Sequence, residues 1–135
     1  MPLDASPDYA AARANIEALY RSGLLVEREL ASFAREGRFE EITISLAMMS
    51  KLPVEFIERA LLHGRSESIM ILGRALEFMW PTEKAIMCMN SRHAPSLQDF
   101  DQYRDSFERL KPSTAQKLLR FYRGRTAAAP EAGDA

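Results

Sequence analysis

Hydrophobic positions recur at three- and four-residue intervals along most of this chain. That spacing places them on one side of an α-helix, and no convincing stretch alternates apolar and polar residues as a half-buried strand does. Glycines and prolines interrupt the pattern where helices should end or begin. We therefore predict an all-α fold with no sheet. The pattern predicts about eight helices, at roughly residues 7–22, 24–36, 39–52, 53–63, 66–79, 81–90, 96–110 and 112–124.

Three prolines divide the chain into helix pairs. Pro53, Pro81 and Pro112 each open the second helix of a pair and lie 28 and 31 residues apart. A period in this range is typical of helix pairs that stack and share one core. The predicted units span about 38–63, 65–91 and 96–124, in a HEAT-like arrangement of antiparallel pairs. An offset of 28 aligns five apolar positions of the first two units.

Composition is that of one globular domain, which we place at 1–125. Hydrophobic residues make up 47% of the 135 positions and charged residues 27%. The last segment, 126–135, has no aromatic or branched aliphatic residue to bury, so we predict a disordered tail there. No apolar run approaches the roughly 18 residues needed to span a bilayer, and the first residues do not resemble a secretory signal. We expect a cytoplasmic protein without membrane association.

Residues that could support catalysis or bind a metal are sparse. The two histidines, His63 and His93, have no acidic or cysteine partner at ligand spacing on a helix, and Cys88 lies among apolar residues. Phosphate-binding, dinucleotide-binding, nucleophile-elbow and zinc-protease motifs are all missing. We therefore predict no catalytic residue, no metal ligand and no cofactor, and we do not expect an enzyme.

A methionine-rich centre favours protein binding. The chain has seven methionines, and flexible thioether side chains line adaptable grooves as well as cores. The helix at 66–79 is apolar almost all round, so we place it at the centre of the domain. Arg74 lies within it and should reach an edge or pair with Glu77 or Glu41, because an unpaired buried charge is costly. We predict that a peptide or helix docks in a groove between repeats. The residues expected at that groove are Arg74, Phe78, Met79 and Trp80.

The last helix suggests an alternative. Residues 1–110 carry 13 basic and 17 acidic side chains, whereas residues 111–125 carry five basic side chains and no acid. A basic flank beside aromatic residues could contact nucleic acid, although five charges are few for that purpose. The flank consists of Lys117, Arg120, Arg123 and Arg125. The leading hypothesis is a regulatory adaptor with an unidentified protein partner, with self-association left open. The alternative is a nucleic-acid-associated regulator.

Three segments carry a family resemblance. They are Leu52-Pro53-Val54-Glu55-Phe56-Ile57-Glu58-Arg59-Ala60-Leu61, Arg74-Ala75-Leu76, and Ala115-Gln116 followed by Arg120-Phe121. With them the chain resembles, over about 38–125, the domain of unknown function 2336, a group of helical, HEAT-like proteins found mainly in alphaproteobacteria. It is similar to the C-terminal portion of longer members. The resemblance implies a helical fold and no particular activity.

Overall fold

The protein folds into helices joined by short turns. A computed structural model describes residues 9–89 and 96–134, with side chains as far as Thr126. These residues form eight helices and no strand, which confirms the all-α prediction. Predicted positions 7, 8 and 90 lie outside the described residues. The helices are α1 (Tyr9–Arg21), α2 (Glu27–Arg35), α3 (Phe39–Ser50), α4 (Val54–Leu62), α5 (Ser66–Ala75), α6 (Trp80–Met87), α7 (Leu97–Arg109) and α8 (Pro112–Asp134).

The first five helices all end in the same turn. In each turn one residue has a positive φ, and the next backbone N–H donates to the carbonyl five residues earlier, as in a Schellman cap. The residues with positive φ are Gly23, Gly37, Lys51, Gly64 and Glu77. The bonds run from Leu24 to Leu19, Arg38 to Phe33, Leu52 to Ala47, Arg65 to Ala60 and Phe78 to Gly73, at 2.8–3.2 Å. Successive turns are 13 or 14 residues apart, so the elementary repeat is one helix with its turn.

Helix α5 is shorter than predicted. The apolar pattern predicted a helix to residue 79, but α5 ends at Ala75 and residues 76–79 form the turn into α6. The pattern missed this end because Glu77, with a φ of 61°, occupies a position where glycine is usual. The turn after α3 and the turn after α5 contain equivalent backbone hydrogen bonds, from Leu52 to Ala47 and from Phe78 to Gly73. Aligning these two bonds superimposes the pair α3–α4 on the pair α5–α6 with an offset of 26 residues, whereas the sequence pattern predicted an offset of 28. In this register Ile57 of α4 corresponds to Glu83 of α6.

Packing places α5 next to several other helices. It contacts α4, α6 and α8, in agreement with the predicted central position. Helix α3 contacts α1, α2 and α4, while α2 also reaches α6. The largest fully buried apolar side chains come from α1 to α5 and α7: Ile16, Leu30, Ile42, Ile44, Leu46, Ile57, Leu72 and Phe107. The helices therefore share one core. The unit boundaries and the HEAT-like arrangement stay predictions.

Side chains of α8 satisfy two carbonyls at the ends of other helices. Gln116 of α8 donates to the carbonyl of Ala75 at 3.2 Å, and Arg123 donates to that of Ser50 at 2.8 Å. Such carbonyls have no partner within their own helix. Helix α8 therefore ties down the C-terminal ends of α5 and α3.

Helix α8 also enters the segment predicted to be a tail. Its helical backbone continues to Asp134, across most of 126–135. Three consecutive alanines at 127–129 favour helix formation there. Disorder of this segment stays a prediction.

Candidate functional site

The four residues predicted at the groove do not form one surface. Phe78 is only 2% exposed and belongs to the core, so it cannot meet a partner as expected. The physical reason is its place directly after the turn residue Glu77, a position from which an apolar side chain commonly packs against the preceding helix. Met79 is 68% exposed, and Trp80 is half-buried.

Trp80 is part of the contact between α6 and α7. Its ring lies 6.4 Å from that of Phe100, 5.9 Å from that of Tyr103 and 5.8 Å from that of Phe107, measured between centroids. Aromatic pairs at these separations stabilise the packing of helices. The exposed side of Trp80 lies under the guanidinium of Arg104, at 5.9 Å. Trp80 therefore joins helices instead of lining an open groove.

Arg74 has other partners than the predicted acids. Its Nε donates to the carbonyl of Leu110 at 2.7 Å, and its guanidinium lies 5.0 Å from the centre of the Phe107 ring. The prediction of Glu77 or Glu41 is wrong: Glu77 is exposed on the turn, and Glu41 pairs with Arg38 at 2.9 Å. Arg74 thus holds the end of α7 against α5, which is a structural role.

A buried carboxyl that the sequence analysis missed lies close to Arg74. Glu83 is completely buried, and the Tyr103 hydroxyl lies 2.7 Å from its Oε2 and 2.9 Å from the carbonyl of Ser66. Glu83 Oε1 has no hydrogen-bond partner among the described residues. A Cβ on Gly73 would overlap this oxygen, so the glycine makes room for the carboxyl. In the sequence, Glu83 resembles an ordinary acid in the first turn of a helix.

Burial changes the acidity of this carboxyl. Desolvation raises the pKa of Glu83 from 4.5 to about 8, although the Tyr103 hydrogen bond and the charge of Arg74 act in the opposite direction. Burial, together with Glu83, also raises the pKa of Tyr103. A neutral carboxyl is tolerated in an apolar interior far better than a charged one. Because solvent does not reach Glu83, the carboxyl is not placed to act on a substrate.

An open groove lies between the second and third predicted repeat units. It encloses about 360 Å³ between α5, α7 and α8. Its walls consist of Glu67, Met70, Ile71, Ser106, Arg109, Leu110 and Leu118. Leu118 of α8 faces this groove and is 37% exposed. An exposed apolar wall of this kind can accept a side chain from another protein.

A smaller cleft lies between the first and second units. It encloses about 160 Å³ and is lined by Phe39, Leu61, Leu62, Gly64, Ser66, Ile69, Ile86, Met87 and Met89. Met89 is the last described residue before position 96. The groove at Leu118 is the larger of the two.

The basic residues of α8 divide into two groups. Arg123 is half-buried and caps α3, and Arg125 lies 5.7 Å from the centre of the Phe121 ring. Lys117 and Arg120 are exposed, and neither side chain has a hydrogen bond or ion pair to another described residue. The predicted basic flank is therefore partly used inside the protein.

The candidate metal ligands are not brought together. Within residues 9–89 and 96–134, no three acidic, cysteine or histidine side chains are grouped in a way that could hold a metal ion. Cys88 is exposed, and His63 follows the end of α4. His93 lies outside the described residues.

Comparison with known proteins gives a family. A family model described as uncharacterised protein conserved in bacteria, DUF2336, matches residues 1–120. The chain belongs to this family. The DUF2336 match begins at residue 1, whereas the resemblance seen in the sequence motifs began at about residue 38. The matched range includes every residue that lines the groove at Leu118. No curated protein and no solved structure matches this DUF2336 chain. Among the parts of the chain searched, no helix is long and apolar enough to cross a membrane.

Proposed function

We propose that this DUF2336 chain is a non-catalytic protein-interaction module that binds a peptide or helix in the groove between α5, α7 and α8. The observation that carries the proposal is Leu118, which is 37% exposed and shares the groove with the half-buried Met70 and the largely buried Ile71. Because Leu118 is 37% exposed, covering the rest of its side chain is worth about 0.5–1 kcal/mol, roughly a third of the value for a fully exposed leucine. A regulatory adaptor in the cytoplasm is the cellular role we propose for this activity.

The walls of the groove favour a helical ligand. All three surrounding elements are helices, whose backbone groups are already bonded, so there is no strand edge to pair with an extended peptide. An amphipathic helix can instead insert apolar side chains between the surrounding helices. Met70 can adjust its conformation to different partner side chains. The groove lies between two of the predicted repeat units, and its walls do not include Arg74, Phe78, Met79 or Trp80.

Site-specific photo-crosslinking tests the proposal. A photoreactive phenylalanine analogue replaces Leu118 in one variant and Leu24 in the other, and both full-length proteins are irradiated in bacterial cells. Leu24 is a matched control because it is an exposed leucine on the turn between α1 and α2. We expect nuclease-resistant protein adducts from position 118 that disappear when Met70→Glu is added. Equal adducts from both positions, adducts that survive Met70→Glu, or none from position 118 would contradict the proposal.

A further inference from the structure

We infer that the partner in the α5–α7–α8 groove is an acidic amphipathic helix whose apolar side covers Leu118 and whose carboxylates pair with the surrounding basic side chains. This inference rests on the proposed function and adds the chemistry of the partner. The observations that support the inference are the exposed basic side chains and the exposed apolar side chains in and beside the groove.

Basic side chains lie in the wall of the groove and along the exposed part of α8. From Arg109 to Arg125 the chain has six basic residues and no acid. Five of them are exposed and make no side-chain hydrogen bond or ion pair to any described residue: Arg109, Lys111, Lys117, Arg120 and Arg125. Arg109 lines the groove, Lys117 precedes Leu118 in the sequence, and Arg125 lies against the ring of Phe121. Carboxylates of a partner would therefore find cations that the fold leaves unused, and complementary charges direct association and fix orientation.

Apolar side chains continue the groove along α8. Phe121 follows Leu118 by three residues, a spacing that places both on one side of a helix. Phe121 is 58% exposed, and Arg125 covers part of its ring at 5.7 Å. The surface is thus a short apolar row bordered by cations. Residues Pro112–Phe121 extend over roughly 14 Å at 1.5 Å per residue, which suits a partner helix of about ten residues.

The same surface fits a nucleic acid less well. Arg123 donates to the carbonyl of Ser50 instead of facing outward. Glu67, in the wall of the groove, opposes a phosphate and a partner carboxylate alike, so it does not distinguish the two. Nucleic-acid affinity depends on neutralising many phosphates, while this surface has few unused cations, of which Arg109 lines the groove, beside the exposed apolar side chains of Leu118 and Phe121. A helix with carboxylates along one border satisfies both features at once.

Peptide display selects the partner chemistry directly. A random library of peptides about 14 residues long is selected against the full chain, and the enriched peptides are titrated against variants. We expect net acidic sequences with apolar residues at helical spacing. Their affinity should fall about tenfold or more with Leu118→Ser, and again with Lys117→Glu plus Arg120→Glu. Added salt should weaken binding to the unaltered protein more than to the charge-reversed variant.

Matched controls separate the surface from general effects. Leu24→Ser removes another exposed leucine, and Arg13→Glu plus Arg28→Glu reverses two exposed charges on α1 and α2. Both controls should leave binding unchanged. Circular dichroism of every variant checks that the helices are intact.

The outcomes distinguish this inference from the proposed function. Enriched peptides that depend on Leu118 but are neutral or basic would overturn the acidic partner and leave the groove as a binding site. Enrichment of no peptide that depends on Leu118 would overturn both. Short single-stranded and duplex DNA are titrated in parallel, and binding of DNA that is lost with Lys117→Glu plus Arg120→Glu, without peptide binding, would assign the surface to nucleic acid.

Discussion

Two regions that both touch helix α5 depart from the usual distribution of polar and apolar side chains. In the junction of α5, α6 and α7, a carboxyl group, Glu83, is completely buried. In the groove of α5, α7 and α8, Leu118 is exposed. The carboxyl is accommodated by Tyr103 and by the missing side chain of Gly73, whereas Leu118 stays 37% exposed. We infer that the first departure affects stability and that the second serves binding.

The repeat gives this comparison an internal reference. Glu83 and Ile57 occupy equivalent positions of α6 and α4 in the register set by the turns, and both are fully buried. At Ile57 the interior is apolar, as is usual. The repeated helix and turn therefore do not require a carboxyl at this position. The buried carboxyl depends on the residues that surround Glu83 in the second unit.

The largest effect should come from moving the carboxyl to the other unit. Ile57→Glu buries an acid where Ala47 stands in the place of Gly73, so the free energy of unfolding should fall by about 4 kcal/mol or more. Urea denaturation of the variant and of the unaltered protein at the same pH measures the loss. A decrease of the free energy of unfolding by less than about 1 kcal/mol would show that a buried carboxyl at this position does not depend on the surroundings that Glu83 has.

Stability should also depend on pH through Glu83. Its pKa is about 8 in the folded protein and near 4.5 when unfolded, so the folded state retains the proton between these values. Unfolding releases that proton, and the free energy of unfolding should therefore decrease by a few kcal/mol as the pH rises from 4.5 through 8. Glu83→Gln should remove most of this slope, as measured by urea denaturation across the range. Equal slopes for both proteins would contradict the assignment.

Gly73→Ala should destabilise the protein by about 1–3 kcal/mol, because the new methyl group displaces Glu83 and approaches Phe107. Gly124→Ala is the matched control: nothing lies within 4 Å of its added methyl group, and alanine favours helix. Thermal unfolding measures both changes. The damage from Gly73→Ala should shrink when Glu83→Ala is present as well, and a purely additive double variant would refute the overlap.

The two turns without glycine should give a smaller effect. Glu77→Gly and Lys51→Gly relieve a left-handed backbone conformation, so each should stabilise the protein by about 0.5–1 kcal/mol. Gly37 also has a positive φ, and nothing lies within 4 Å of an added Cβ, so Gly37→Ala should lower the free energy of unfolding by about 0.5–1 kcal/mol through backbone strain alone. Melting temperatures check the three variants. No gain from Glu77→Gly would mean that its side chain offsets the strain.

Local patterns predicted much of the fold but little of the site. Prolines and glycines placed most helix ends correctly, and Ser96 caps α7 through the Asp99 N–H as its spacing suggested. The end of α5 was missed because Glu77 replaces the usual glycine. Glu83 was missed because its burial depends on Gly73 and Tyr103, which are distant in sequence. Phe78 and Arg74 were assigned to a groove because apolar character and charge alone do not indicate which side of a helix other helices will cover.

Leu118 offers the most direct test of the central claim, that the exposed groove serves binding instead of folding. The measurement is a paired determination of thermal stability and peptide affinity for Leu118→Ser, with Leu24→Ser as the control. We expect Leu24→Ser to unfold within about 0.5 kcal/mol of the unaltered protein and Leu118→Ser to cost about 1 kcal/mol, because about two-thirds of Leu118 is covered within the protein. Only Leu118→Ser should lose affinity, by about tenfold or more. A large loss of stability in Leu118→Ser, or full retention of peptide binding, would contradict the account.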